Sequence, residues 1–193
     1  RGVYIKYLCG DDVLHPDCIK KLYQEISKKE NIALIACKRT ITDNKYNYES
    51  GVCGEFSSFQ ATRLLILKGN FLGEPSVVMM KTSYAQERKF DNYYKQILDL
   101  DFYLGILSFG DLLIIDDVLS MFRIHDSQAT NANVKNKRQM ELEYNYLIKK
   151  NIYLYMGDGV LLSKYFNVLL KERNFSLAVS FLLLHPIVIV YSV

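Results

Sequence analysis

The chain has 193 residues, 50% hydrophobic and 23% charged, with three Pro and ten Gly. That composition excludes collagen-like and low-complexity disordered classes and leaves a globular chain long enough to bury a core. The formal net charge is +3, from 24 Lys and Arg against 21 Asp and Glu. This is too even a balance for a nucleic-acid binder, which carries a clustered basic stripe.

Residues 3–8 are β-rich and run into the turn signal Gly10-Asp11-Asp12. His15-Pro16-Asp17 then opens a helix in which Ile19, Leu22, Tyr23 and Ile26 recur at helical spacing. The apolar run 32–37 reads as a buried strand. Strand, helix, strand is the rhythm of an α/β sheet. Residues 38–58 are polar and rich in Asn, Ser, Tyr and Gly, which predicts a loop long enough to carry function. A short helix ends over 64–67, before Gly69-Asn70. Gly73-Glu74-Pro75-Ser76 is a rigid turn leading into a strand over 77–80. An apolar helix follows over 98–109, stopped by Gly110. A strand over 112–115, a turn at Asp116-Asp117 and an extended segment over 118–124 come next.

Helices are expected over 133–150, 157–172 and 175–193, packed on or beside the sheet. The last is almost entirely apolar. Its stretch from Ser176 to Val193, at about 18 residues, falls just short of the roughly 20 that a span requires, and His185-Pro186 interrupt it. It reads as a core-covering helix, with contact to a membrane surface through 175–193 as the sharper expectation. The basic stretch 135–138 reads as a solvated helix start. Cys9, Cys18, Cys37 and Cys53 lack zinc-type spacing and read as small core residues of a reducing, cytoplasmic compartment. His15 and His185 are assigned structural roles. The chain opens with Arg1 inside a strand-like run, which reads as a fragment missing its N-terminal part.

Three groups of residues carry candidate chemistry. Asp11 and Asp12 follow the first strand at the sheet edge where α/β ligands bind. Adjacent carboxylates repel unless a hard cation such as Mg²⁺ or Mn²⁺ shares them, although acidic turns are also common without one. Asp99 and Asp101 open the 98–109 helix two residues apart and so do not share a face. One could serve a cleft as general base while the other complements the helix dipole. Arg123 and His125 share one face of an extended segment, with Phe122 and Ile124 on the other. Arg can clamp a phosphate, and His can ligate a metal. No Gly-rich phosphate loop is present to indicate phosphoryl transfer.

Taken in order, these pieces resemble a family-2 glycosyltransferase of the GT-A fold. The stretch from Gly2-Val3-Tyr4-Ile5 through Leu8-Cys9-Gly10-Asp11-Asp12-Val13 to Leu14-His15-Pro16 is similar to the family's strand and acidic motif, where metal and nucleotide-sugar diphosphate meet. Gly73-Glu74-Pro75-Ser76-Val77-Val78-Met79 resembles an acceptor-side segment. Leu98-Asp99-Leu100-Asp101-Phe102-Tyr103-Leu104 resembles the helix that carries the catalytic base. Phe122-Arg123-Ile124-His125-Asp126-Ser127-Gln128 resembles the segment that closes over the donor phosphates.

The resemblance implies an α/β fold with a GT-A-like (Rossmann-like) mixed sheet. Residues 1–130 would be the C-terminal part of the catalytic domain, without the nucleotide-binding strands, and 131–193 a helical extension. It implies inverting transfer from a nucleotide-sugar donor, a UDP-sugar first, to a glycan or lipid-linked hydroxyl acceptor in polysaccharide synthesis, with no nucleic acid as partner. Asp99 would be the base, Arg123 and His125 would bind the diphosphate, and Glu74 and Ser76 would face the acceptor. Asp11, Asp12 and His125 would hold Mn²⁺ or Mg²⁺. The sequence departs from the family at Cys9, where an acidic residue is usual, and at Leu98, where a Glu is usual. Both departures favour the alternative of a non-catalytic α/β binding or scaffold module.

Overall fold

The computed structural model describes residues 2–42, 47–49, 52–124, 136–152 and 157–184, the side chains of 47–49 and 182 excepted. They fall in two compact units, Arg1–Lys135 and Asn136–Val193.

The first unit is mixed α/β. Its sheet contains β1 (Tyr4–Lys6), β2 (Val13–Leu14), β3 (Ile32–Thr42), β4 (Asn47–Glu49), β5 (Gly54–Phe56), β6 (Val78–Lys81) and β7 (Asp111–Arg123). The order is β1-β6-β3-β7-β2, with β4 paired to β3 and β5 to β7. Among the described residues only the β3–β7 pairing is parallel. These two long strands form the spine. Residues 32–37 are buried throughout, as an apolar run between two neighbours requires.

Two sequence expectations change here. The described residues of 38–58 are largely strand and not loop: β3 continues to Thr42, β4 pairs back onto it, and β5 joins β7. Thr40-Ile41-Thr42 is β-branched, and pairing with β7 decides the matter over the polar flank. The Asp116-Asp117 turn is instead an irregularity inside one continuous strand. Cys37 pairs Ile115 and Lys38 pairs Val118, so β7 carries two extra residues there. Asp116 and Asp117 point outward to ion pairs with Lys38 and Lys21.

Helices α1 (Cys18–Ile26), α2 (Ser58–Lys68), α3 (Thr82–Arg88) and α4 (Leu98–Ile106) complete the unit. Helix α1 buries Cys18, Leu22 and Ile26, one i, i+4, i+8 stripe; Ile19 and Tyr23 are exposed. His15 Nδ1 accepts the Asp17 N–H at 3.2 Å just before this helix. Helix α2 starts earlier than its apolar residues indicate, because Ser57 and Gln60 form a reciprocal capping box. Helix α3 buries no residue and so leaves no apolar period in the sequence. Helix α4 is buried almost all round and ends in a 3₁₀ turn, Leu107–Phe109. Cys18 and Cys37 are core residues, whereas Cys9 is half-buried and Cys53 exposed.

The second unit contains α5 (Lys137–Asn151), α6 (Gly159–Lys171) and α7 (Phe175–Leu184). Leu162, Leu169, Ala178 and Phe181 form a core between α6 and α7. Asp158 caps α6 by accepting the Val160 and Leu161 N–H groups. The apolar residues 185–193 lie outside the described residues. Among the described residues no helix is long and apolar enough to cross a membrane.

Candidate functional site

Strand β1 delivers the chain to the Cys9–Asp12 turn, which is closed by the Asp12 N–H donating to the Cys9 carbonyl at 3.2 Å. Ser76 supports the turn from behind. It is fully buried, and its hydroxyl accepts the Cys9 N–H at 2.9 Å. Lys6 reaches the Ser76 carbonyl from β1, and burial lowers its ammonium pKa. Asp12 is 7% exposed. Neither of its carboxylate oxygens accepts a hydrogen bond. The Ser76 hydroxyl, the Cys9 thiol and the Arg123 backbone N–H are near enough to favour its charge. Burial outweighs them and pushes its pKa up, with Asp11 adding to the shift. Arg123, exposed at the end of β7, donates from Nε to the Asp11 carbonyl, so it fixes the turn's backbone.

The wall facing this turn is the 70–76 segment. Gly73 has φ +109, a conformation that favours glycine. Asn70 closes the segment through the Gly73 N–H and carbonyl, and Tyr103 donates to that same carbonyl at 3.2 Å. Glu74 is half-buried against Arg39, with Nε 3.2 Å from Oε2, while its Oε1 meets no hydrogen-bond donor. Burial raises its pKa against the pull of Arg39, and the charges of Asp12 and Asp99 add to the rise. Asp12, Glu74 and Asp99 are therefore electrostatic neighbours, although they are far apart in the chain.

Asp99 and Asp101 separate as the helix period requires. Asp101, 2% exposed, pairs with Arg88, which lies across Gly105. Asp99 is half-buried on the other side of α4. It accepts the Asn70 amide at 2.6 Å and the Leu100 N–H at 2.8 Å. Burial raises its pKa, opposed by those bonds and by Arg39.

The fold thus brings Asp12, Glu74, Ser76 and Asp99 together, with Asp11 on the same turn and Arg123 attached through the Asp11 carbonyl. His125 lies outside the described residues. No family model matches the chain, and no curated protein is significantly similar to it. Among the described residues no three or more His, Cys, Asp or Glu side chains converge as a metal-ligating group. The Asp12 carboxylate could nonetheless hold a cation, since burial outweighs the polar groups around it and a positive charge would offset that cost.

Arg39 and Asn70 carry no sequence signal for this site, and Gly73 and Tyr103 lie inside two of the stretches that carry the resemblance without a role of their own. Asn70 and Gly73 could have been suspected from turn chemistry. Arg39 lies in the polar stretch 38–58, whose composition predicts a loop.

Proposed function

We propose that this chain carries the acceptor-side chemistry of an inverting glycosyltransferase with a GT-A-like fold. Asp99 takes the proton from an acceptor hydroxyl as the sugar's anomeric carbon is displaced from a nucleoside diphosphate, UDP first. The observation that carries this is the environment of Asp99. Two hydrogen bonds aim its carboxylate, and burial lifts its proton affinity toward that of a useful base.

Glu74 lines the acceptor side next to Asp99, and Ser76 stiffens that wall from behind. Arg123 and His125 serve the donor diphosphate. Asp11, Asp12 and His125 would hold Mn²⁺ or Mg²⁺, which when bound offsets charge on the departing diphosphate. A cytoplasmic location beside a membrane, with 175–193 at its surface, belongs to the same proposal.

The test is release of UDP from a UDP-sugar by the protein as its gene encodes it, in Mn²⁺, alongside calorimetric titration with UDP. Asp99→Asn is expected to lower turnover about a hundredfold or more with UDP affinity unchanged. Normal turnover in that variant removes Asp99 from the role. Wild-type protein that binds neither UDP nor another nucleoside diphosphate moves the non-catalytic module ahead. Cys9 and Leu98 are the residues that favour that alternative.

A further inference from the structure

Arg39 lies on β3 just past the buried apolar run, and its side chain is 14% exposed. Its Nη1 donates to the Leu72 carbonyl at 2.5 Å, and its Nε pairs with Glu74. Between these two contacts the guanidinium covers Gly73 so closely that a Cβ there would lie 1.5 Å from Nη1. One side chain therefore holds three successive residues of the wall. The opposite side of the same segment is tied by Asn70, whose amide also donates to Asp99. Arg39, the 70–74 segment and Asp99 form one connected unit.

We infer that Arg39 is a positioning residue of this site: its guanidinium clamps the wall that orients Asp99 and supplies the positive charge that lets Asp99 and Glu74 ionise side by side.

The groups around Asp99 come from the 70–76 wall, from α4 and from β3. Asn70 and the Leu100 N–H donate to it, and Arg39 faces it from β3. Glu74 from the wall shares its field, as does Tyr103 one turn along α4. Asp12 acts on Glu74, Lys6 lies within electrostatic reach of Glu74, and Cys9 acts on Tyr103. Burial drives the Asp99 carboxyl toward its neutral form, and Arg39 opposes it. A fixed guanidinium suits this task because it stays charged while one nitrogen bonds the Leu72 carbonyl and another lies 3.2 Å from the Glu74 carboxylate.

The consequence for rate rests on Asp99 acting as base; the positioning itself is measured without turnover. The experiment is a ¹³C NMR titration of side-chain carboxyls in the 193-residue chain. Arg39→Met is expected to raise the Asp99 midpoint by about one pH unit, and Arg39→Lys by much less. Glu74→Gln keeps Arg39 and removes a competing negative charge, so it is expected to lower the Asp99 midpoint. If Arg39→Met does not fold, Arg39→Gln, which removes the charge but keeps a polar group toward the Leu72 carbonyl, carries the same test: a raised Asp99 midpoint supports the inference and an unmoved one overturns it. An Asp99 midpoint that stays put in the folded variants overturns the inference. Midpoints that move as expected in a protein that transfers no sugar leave Arg39 in its role and remove the transferase. Where transfer is observed, the acid limb of the kcat/KM profile should move up in Arg39→Met; a limb that stays put overturns the inference while the transferase stands.

Discussion

Asp99 and Asp101 are two residues apart on one helix and meet opposite environments. Asp101 is sealed in an ion pair with Arg88, whose side chain lies where any Cβ at Gly105 would fall, 1.6 Å from Nε. Asp99 keeps part of its surface and spends its oxygens on Asn70 and its own helix N-terminus. The helical period separates the two carboxylates, but only the neighbours show which one is enclosed. Gly73 is a second case in which one residue's chemistry fixes the site. Its φ of +109 and the guanidinium above it both exclude a side chain. Gly73→Ala is therefore expected to cost about 2 kcal/mol or more. The urea unfolding midpoint reads this out. A loss below a few tenths of a kcal/mol would mean that Arg39 swings away freely and that the clamp is weak.

At the scale of elements, polar caps and pairings override apolar pattern. Helix α2 begins at Ser58 because Ser57 accepts the Gln60 N–H while the Gln60 side chain accepts the Ser57 N–H. The S-x-x-Q signal is legible in the sequence, although the apolar residues alone point only to the helix's last turn. Ser57→Ala should cost about 1 kcal/mol and increase amide exchange in the first turn of α2. Unchanged exchange there would assign the helix start to the neighbouring Ser58 contacts instead: its N–H bonds Asp111 and its hydroxyl the Leu107 carbonyl. Strand β7 makes the complementary point. Two aspartates read as a turn because their local preference is for turns. Parallel pairing with β3 on both sides of them holds the strand together and turns the pair outward to Lys38 and Lys21.

At the scale of the molecule, the site gathers carboxylates that burial makes hard to ionise. Asp12, Glu74 and Asp99 all have raised pKa values, each chiefly through burial. A group whose folded pKa lies above its unfolded value binds its proton more tightly in the native state. The stability it contributes is complete below the unfolded value, about 4, and is lost as pH rises through the folded one. Glu55, Asp116 and Glu141 are shifted down by Lys29, Lys38 and Lys171, so their contribution is lost only as pH falls below the ordinary range. The two windows do not overlap. Unfolding midpoints are expected to fall as pH rises from about 4.5 toward neutrality, with a shallower fall in Asp99→Asn. A profile that rises over this window would mean that a donor or a cation satisfies the three carboxylates in solution.

The sequence by itself determined the α/β character, the buried strand 32–37, the apolar helix that carries Asp99, and the turns around Asp11 and Glu74. These are local properties: apolar runs, helical and strand periods, and Gly, Pro and Asp at bends. The tertiary structure alone decided that β3 and β7 run long and parallel. It also decided that Asp12, Glu74 and Asp99 share one field, and that Arg39 stands among them. Pairing partners and burial depend on residues tens of positions away, and an Arg in a polar stretch has no period that reveals what it will face.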